Sequence, residues 1–147
     1  MNDLKSINIY YDRFIAALEF NTKNRGTFIY GSRTLTYDGH HKSTHLHTIN
    51  LLNNKIIGIQ LRSGHFLDSI KFTLKDEITN NIYYSPMLGG SGGQSFEINS
   101  NSIIGFQEIT RIFGTTTNGN NIRSIVFEHT TSVKYGIKYF FFCCKFY

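Results

Sequence analysis

A chain of 147 residues, 40% of them hydrophobic, can bury one core but not two, so residues 1–147 are expected to form a single domain. Phe, Tyr, Ile and Thr dominate the apolar positions, Trp is missing and Pro occurs once, which favours strands and an all-β class. The net charge of +5 comes from Lys and Arg scattered singly, with no basic stripe; this leaves a solvated surface and argues against a nucleic-acid partner.

The chain starts with a polar segment, Met1 to Ser6, that leads straight into patterned sequence, so no apolar signal segment is expected. No stretch has membrane-spanning length, so no membrane insertion is expected. The first patterned run, Arg13 to Phe20, carries the pair Ala16-Ala17 and could pass for a short helix. It is read as a strand because related segments further on hold β-branched and aromatic residues at the matching places. Asn21 to Gly26 then reads as a turn. His40, His41, His45 and His47 follow, with His45 and His47 on one strand face. Four imidazoles could hold zinc or copper. No Cys or carboxylate is interleaved, and Lys42, Ser43 and Thr44 suit an exposed polar hairpin, so no cofactor is expected.

After the Asn53-Asn54 turn, Ile56-Ile57-Gly58-Ile59-Gln60 begins a segment that returns almost letter for letter as Ile103-Ile104-Gly105-Phe106-Gln107. Asp68-Ser69-Ile70-Lys71-Phe72 is likewise matched by Arg123-Ser124-Ile125-Val126-Phe127, and more loosely by Ala16-Ala17-Leu18-Glu19-Phe20. The matching residues Leu18, Ile70 and Ile125 lie about a third of the chain apart, which implies pseudo-threefold symmetry. Ile70, Phe72 and Leu74 alternate with Ser69, Lys71 and Thr73, the period of a strand. Three antiparallel four-stranded units packed face to face would bury one central core. In the third copy, Glu108 to Ile122 reads as a longer loop.

Two loops carry the functional signal. Gly64-His65-Phe66-Leu67-Asp68 ends in one carboxylate behind a tight turn, and Gly89-Gly90-Ser91-Gly92-Gly93 is nearly free of side chains. An ionised Asp accepts from two hydroxyls, exposed N–H groups of the turn can donate, and glycines let a sugar ring reach the main chain. Only the second copy has the carboxylate, since Ala16 and Arg123 stand at the matching positions. The glycine loop lacks the Lys-Ser/Thr ending of a nucleotide cradle and enters a strand rather than a helix. No second carboxylate lies near Asp68 in the sequence, so two-carboxylate glycoside hydrolysis has no visible pair and no enzyme is expected. Gly64 to Asp68 could also be only a hairpin turn, with Asp68 satisfying local amides.

These pieces resemble the jacalin-related lectins, particularly their mannose-binding branch. Arg62 to Ile70 looks like the family's Gly-x-x-x-Asp sugar loop and Gly89 to Gly93 like its glycine loop. Phe20-Asn21-Thr22-Lys23 is similar to a further family element. The resemblance implies a β-prism of three Greek-key sheets and metal-free, non-catalytic binding of mannose- or glucose-containing glycans. It implies that Asp68 accepts from two adjacent hydroxyls, that main-chain N–H groups around Phe66 and Leu67 donate, and that Gly93 touches the sugar from the opposite side. Gly64 would permit the turn, and His65 and Phe66 would shape the rim. The usual member begins at a glycine loop and ends at its sugar loop; here both sit mid-chain. Avidity would come from homo-oligomerisation or branched glycans. The adjacent Cys143 and Cys144, the lack of a signal segment and the absence of an Asn-x-Ser/Thr acceptor lead to the expectation of a cytoplasmic protein. The alternative is a β-prism that serves protein interaction, its aromatic tail from Tyr139 to Tyr147 acting as an assembly surface.

Overall fold

The computed structural model describes residues 4–37, 40–116, 122–132 and 137–143. In chain order they form β1 (Leu4–Tyr11), β2 (Ile15–Thr22), β3 (Thr27–Gly31), β4 (Thr34–Tyr37), β5 (His40–Ser43) and β6 (His45–Asn50). There follow β7 (Asn54–Ser63), β8 (Leu67–Asp76), β9 (Ile82–Tyr84), β10 (Leu88–Gly89), β11 (Gln94–Ile98), β12 (Phe106–Thr116), β13 (Ile122–Thr131) and β14 (Ile137–Cys143).

The first sheet has the order β3-β2-β1-β6, all antiparallel. Three hairpin-linked strands with the fourth returning beside the first make a Greek key. The second unit repeats this plan, with β9 and β10 on the outer side of β8, and β11 beside β7. In the third unit β12, β13 and β14 form three strands among the described residues, where the symmetry led to the expectation of four. A single bridge, Ile109 opposite Ile56, joins β12 to β7 and so links the second and third units. The β4-β5 hairpin stands apart as its own two-stranded ribbon.

The symmetry shows most directly in the core. Three cross-strand pairs occupy matching places: Ile7 with Phe20, Ile59 with Phe72 and Ile112 with Phe127. All six are buried, as are Leu18, Ile70 and Ile125. Each phenylalanine removed from water in this way stabilises the fold by about 1.5–3 kcal/mol. The run around Ala16-Ala17 is strand β2, paired along its length with β1.

Two expectations need correction. The nearly identical pentapeptides at Ile56 and Ile103 are not structural equivalents, because Ile59 corresponds to Ile112 rather than to Phe106. Ile56 is buried in β7, whereas Ile103 and Ile104 lie in a turn before β12 and Ile104 is 85% exposed. A strand repeats only every two residues, so matching letters can fall out of register by whole periods. The segment from Glu108 to Thr116 is also strand rather than loop; its pairing with β13 carries three register shifts that the letter pattern does not display.

Candidate functional site

Each hairpin of the three units contains a bulge one residue into its second strand. Tyr10 pairs with Ala17 and Tyr11 with Ile15, which leaves Ala16 as the extra residue. Arg62 pairs with Ser69 and Ser63 with Leu67, which leaves Asp68. Thr115 pairs with Ser124 and Thr116 with Ile122, which leaves Arg123. A bulge takes its residue out of the regular alternation, so all three units carry one extra residue at the same place in the hairpin. In the second unit that residue is a carboxylate.

The turns before these bulges are built alike in the first two units. Gly64 N donates to Phe66 O at 3.0 Å, and Asp12 N donates to Phe14 O at the same distance. The two turns lie side by side, with the Phe14 and Phe66 rings stacked at 4.5 Å and 10° between planes. The edge strands repeat as well. Gly90 N donates to the Asp68 carbonyl at 2.8 Å, and Ser32 N to the Ala16 carbonyl at 3.1 Å. Gly89 and Gly31, which precede these donors, have φ of 108° and 97°, a conformation that suits glycine.

Beyond Gly90 the second unit departs from the first, because its glycine loop folds back over the bulge. A Cβ on Gly92 would lie 2.8 Å from Asp68 Oδ1, and one on Gly93 would lie 2.5 Å from Asp68 Oδ2 and from the Ser63 carbonyl carbon. A Cβ on Gly64 would lie 3.3 Å from Gly93 Cα. Gly90 in turn abuts the Arg13 carbonyl of the neighbouring turn. The loop is therefore wedged between two hairpins and covers the carboxylate with bare main chain. Arg62 holds it there, donating from Nε to the Gly92 carbonyl at 3.0 Å and from Nη2 to the Gly93 carbonyl at 2.9 Å.

Asp68 is half-buried, and burial pushes its carboxyl above its ordinary pKa, with Arg62 and His65 pulling it partly back. Among the described residues no group donates a hydrogen bond to this carboxylate. The alternative of an Asp that merely satisfies local amides therefore does not describe Asp68. It does describe Asp76, at the far end of the same strand. There Oδ1 accepts from Ile78 N at 2.8 Å and Thr79 N at 3.0 Å, and these bonds lower the carboxyl pKa.

The other expected site residues gather around Asp68. Gly64 and Gly93 lie against each other, His65 is exposed on the turn, and Phe66 is 38% exposed with its ring on Phe14. The Leu67 side chain points into the core, so this residue can offer only its main chain to a ligand. Three contributors were not singled out from the sequence: Arg62, Gly92 and Phe14. Arg62 sits two positions before Gly64, and only the pairing of β7 with β11 brings it to the glycine loop.

His45 Nε2 is 3.9 Å from Asp12 Oδ1, and its ring is 5.5 Å from that of Tyr11. The side chains of His40 and His41, those of the whole aromatic tail and of Cys143, and all of Cys144 to Tyr147 lie outside the described residues. Among the described residues no group of three His, Cys, Asp or Glu side chains converges.

No family model matches this sequence, and no curated protein matches it. Solved structures do match in shape. Wild-type Malaysian banana lectin superposes with a TM-score of 0.60 at 16% identity, over 88% of this chain and 84% of that one. AcmJRL, a mannose-binding jacalin-related lectin from Ananas comosus, superposes at 0.56 with 19% identity, over 82% and 77% of the two chains. PirB superposes at 0.64 with 15% identity, but this chain covers only 29% of it. At such identities the likeness establishes the fold: the chain has the all-β, pseudo-threefold β-prism architecture of the jacalin-related lectins.

Proposed function

We propose that this protein is a non-catalytic lectin that binds mannose- or glucose-type residues between the Gly64 to Asp68 turn and the glycine loop. The observation that carries the proposal is the half-buried Asp68 carboxylate, which has no donor among the described residues and is roofed by glycines instead of side chains. Its oxygens reach the surface and accept no hydrogen bond from the described residues, so they are open to an external donor. Adjacent sugar hydroxyls supply two, each charge-assisted bond contributing about 1.5–3 kcal/mol. Main-chain N–H groups at Phe66 and Leu67 donate to the same sugar's oxygens, and Gly93 meets it from the other side without a Cβ in the way. The fold shared with AcmJRL, a mannose-binding protein, supports the choice of sugar. An open site of this kind holds a monosaccharide with a Kd on the order of 0.1–10 mM.

The test is an NMR titration with methyl α-mannoside, with galactose as control, following the amides of Gly64 to Asp68 and of Gly93. Shifts confined to these residues and seen only with the mannoside support the reading. Silence with both sugars at tens of millimolar replaces it with the protein-interaction alternative.

A further inference from the structure

The outer face of the second sheet carries a groove that the Asp68 site does not use. Cross-strand register places its side chains in rows. Tyr84, Thr73 and Gly58 lie side by side across β9, β8 and β7, and the next row runs Lys71, Gln60, Glu97. A third row, Ile82, Lys75 and Lys55, lies towards the other end. Gly58 has no side chain, and a Cβ there would sit 3.2 Å from Thr73 Cβ, so the floor dips at this point. The walls are Tyr84 and Ile82 on one side and the Asn99 to Asn101 turn on the other.

This hollow has a volume of about 280 Å³ and runs into a second of about 400 Å³ through the shared lining residues Ile57, Ile82 and Ser100. Each is comparable to small-molecule sites, and together they follow β7 from Gln60 to Lys55, roughly 17 Å at the usual strand rise. The length and open ends suit a chain rather than a single ring.

The chemistry selects the kind of chain. Charges of both signs line it, Lys71 and Glu97 in one part and Lys55, Lys75 and Glu108 in the other, so no single-sign field favours a polyanion or polycation. Gln60, Asn101, Ser100 and Thr73 can both donate and accept, the pairing that hydroxyls need. Tyr84 is 63% exposed and Ile82 55% exposed, and Lys71 Nζ lies 5.0 Å from the Tyr84 ring centroid, steadying the ring at the rim. Such a ring provides an apolar surface with a polar tip for the C–H face of a sugar. The groove lies on a sheet face and not along an edge, so it offers no unpaired backbone ladder to a peptide.

We propose that this groove is a second carbohydrate site, taking a neutral, unbranched oligosaccharide along β7 independently of Asp68. The experiment titrates the full chain with mannotetraose and, separately, cellotetraose, with dextran sulfate as a charged control. Amide shifts at Gly58, Gln60, Thr73, Tyr84 and Asn99 with at least one tetrasaccharide, retained in Asp68→Ala, are expected. Tyr84→Ala should weaken that tetrasaccharide about tenfold at unchanged Tm, because it removes the stacking ring and no core contact. Gln60→Ala, a second exposed-face variant, should weaken it less. No shift in the groove with either tetrasaccharide at about 20 mM, groove shifts abolished by Asp68→Ala, or a response to dextran sulfate alone would each overturn the proposal. Failure of methyl α-mannoside at the loop site would leave this outcome unchanged, so the two readings fail separately.

Discussion

Strand β8 has an aspartate near each end, and the two do opposite things. Asp76 closes a turn: its carboxylate takes two backbone N–H groups, and its pKa falls. Asp68 stands on a bulge under a roof of glycines, is partly desolvated with no donor among the described residues, and its pKa rises. A carboxylate whose partners are built into the fold is serving the fold, whereas one that is partly buried with its acceptors unused is kept for something outside it. The first unit sharpens the point. Its turn, bulge and edge-strand glycine match those of the second unit, but the bulged residue is Ala16, and the chain continues from Ser32 into Arg33, which is ion-paired with Glu19. The scaffold is repeated and the chemistry is not.

The largest effect expected is on binding. Asp68→Ala should weaken methyl α-mannoside by about 100-fold or more, the loss of two charge-assisted bonds, with Tm within a degree or two of wild type. Retained affinity in this variant, read by titration, breaks the comparison. Arg62→Ala frees the carbonyls of Gly92 and Gly93 and loosens the loop over Asp68; a weakening of about tenfold is expected, comparable to one lost hydrogen bond. Asp76→Ala should reverse the pattern, with unaltered sugar affinity and a Tm lowered by a few degrees as the turn loses two bonds.

The smallest effect is in pH dependence, and it differs in sign between the two residues. The lowered pKa of Asp76 contributes stability that is present above the unfolded-state value and lost as pH falls through the folded one. The raised pKa of Asp68 means that its ionised form costs stability at neutral pH. That cost is relieved as pH falls through the folded value towards the unfolded one, just where sugar binding is lost because the protonated carboxyl accepts less well. Melting curves of Asp68→Asn and Asp76→Asn across the acidic range should therefore diverge from wild type in opposite directions. Parallel curves would show that the two carboxylates are not distinguished by their surroundings.

Much of the fold was legible because strands write their burial into alternate residues. The segments ending in Phe20, Phe72 and Phe127 were recognisable as copies, and the structure puts all three rings in the core and a bulge at Ala16, Asp68 and Arg123. The pentapeptide at Ile103 misled because period two tolerates a slip by an even number of residues. At the site, the two loops could be picked out by their glycines and single carboxylate. The Arg62 clamp and the Phe14 ring could not, since nothing in the local letters says which distant segment will lie beside them.

The strand class, the threefold repetition and the one copy that carries a carboxylate can be read from the residues alone, because propensity, alternation and residue identity are local properties. Only the three-dimensional packing folds Gly92 and Gly93 back onto Asp68, leaves it without a donor among the described residues, and combines the faces of β7, β8, β9 and β11 into a groove. These facts depend on register and bulges between segments far apart in the chain, where a shift of one residue would turn every side chain to the opposite face.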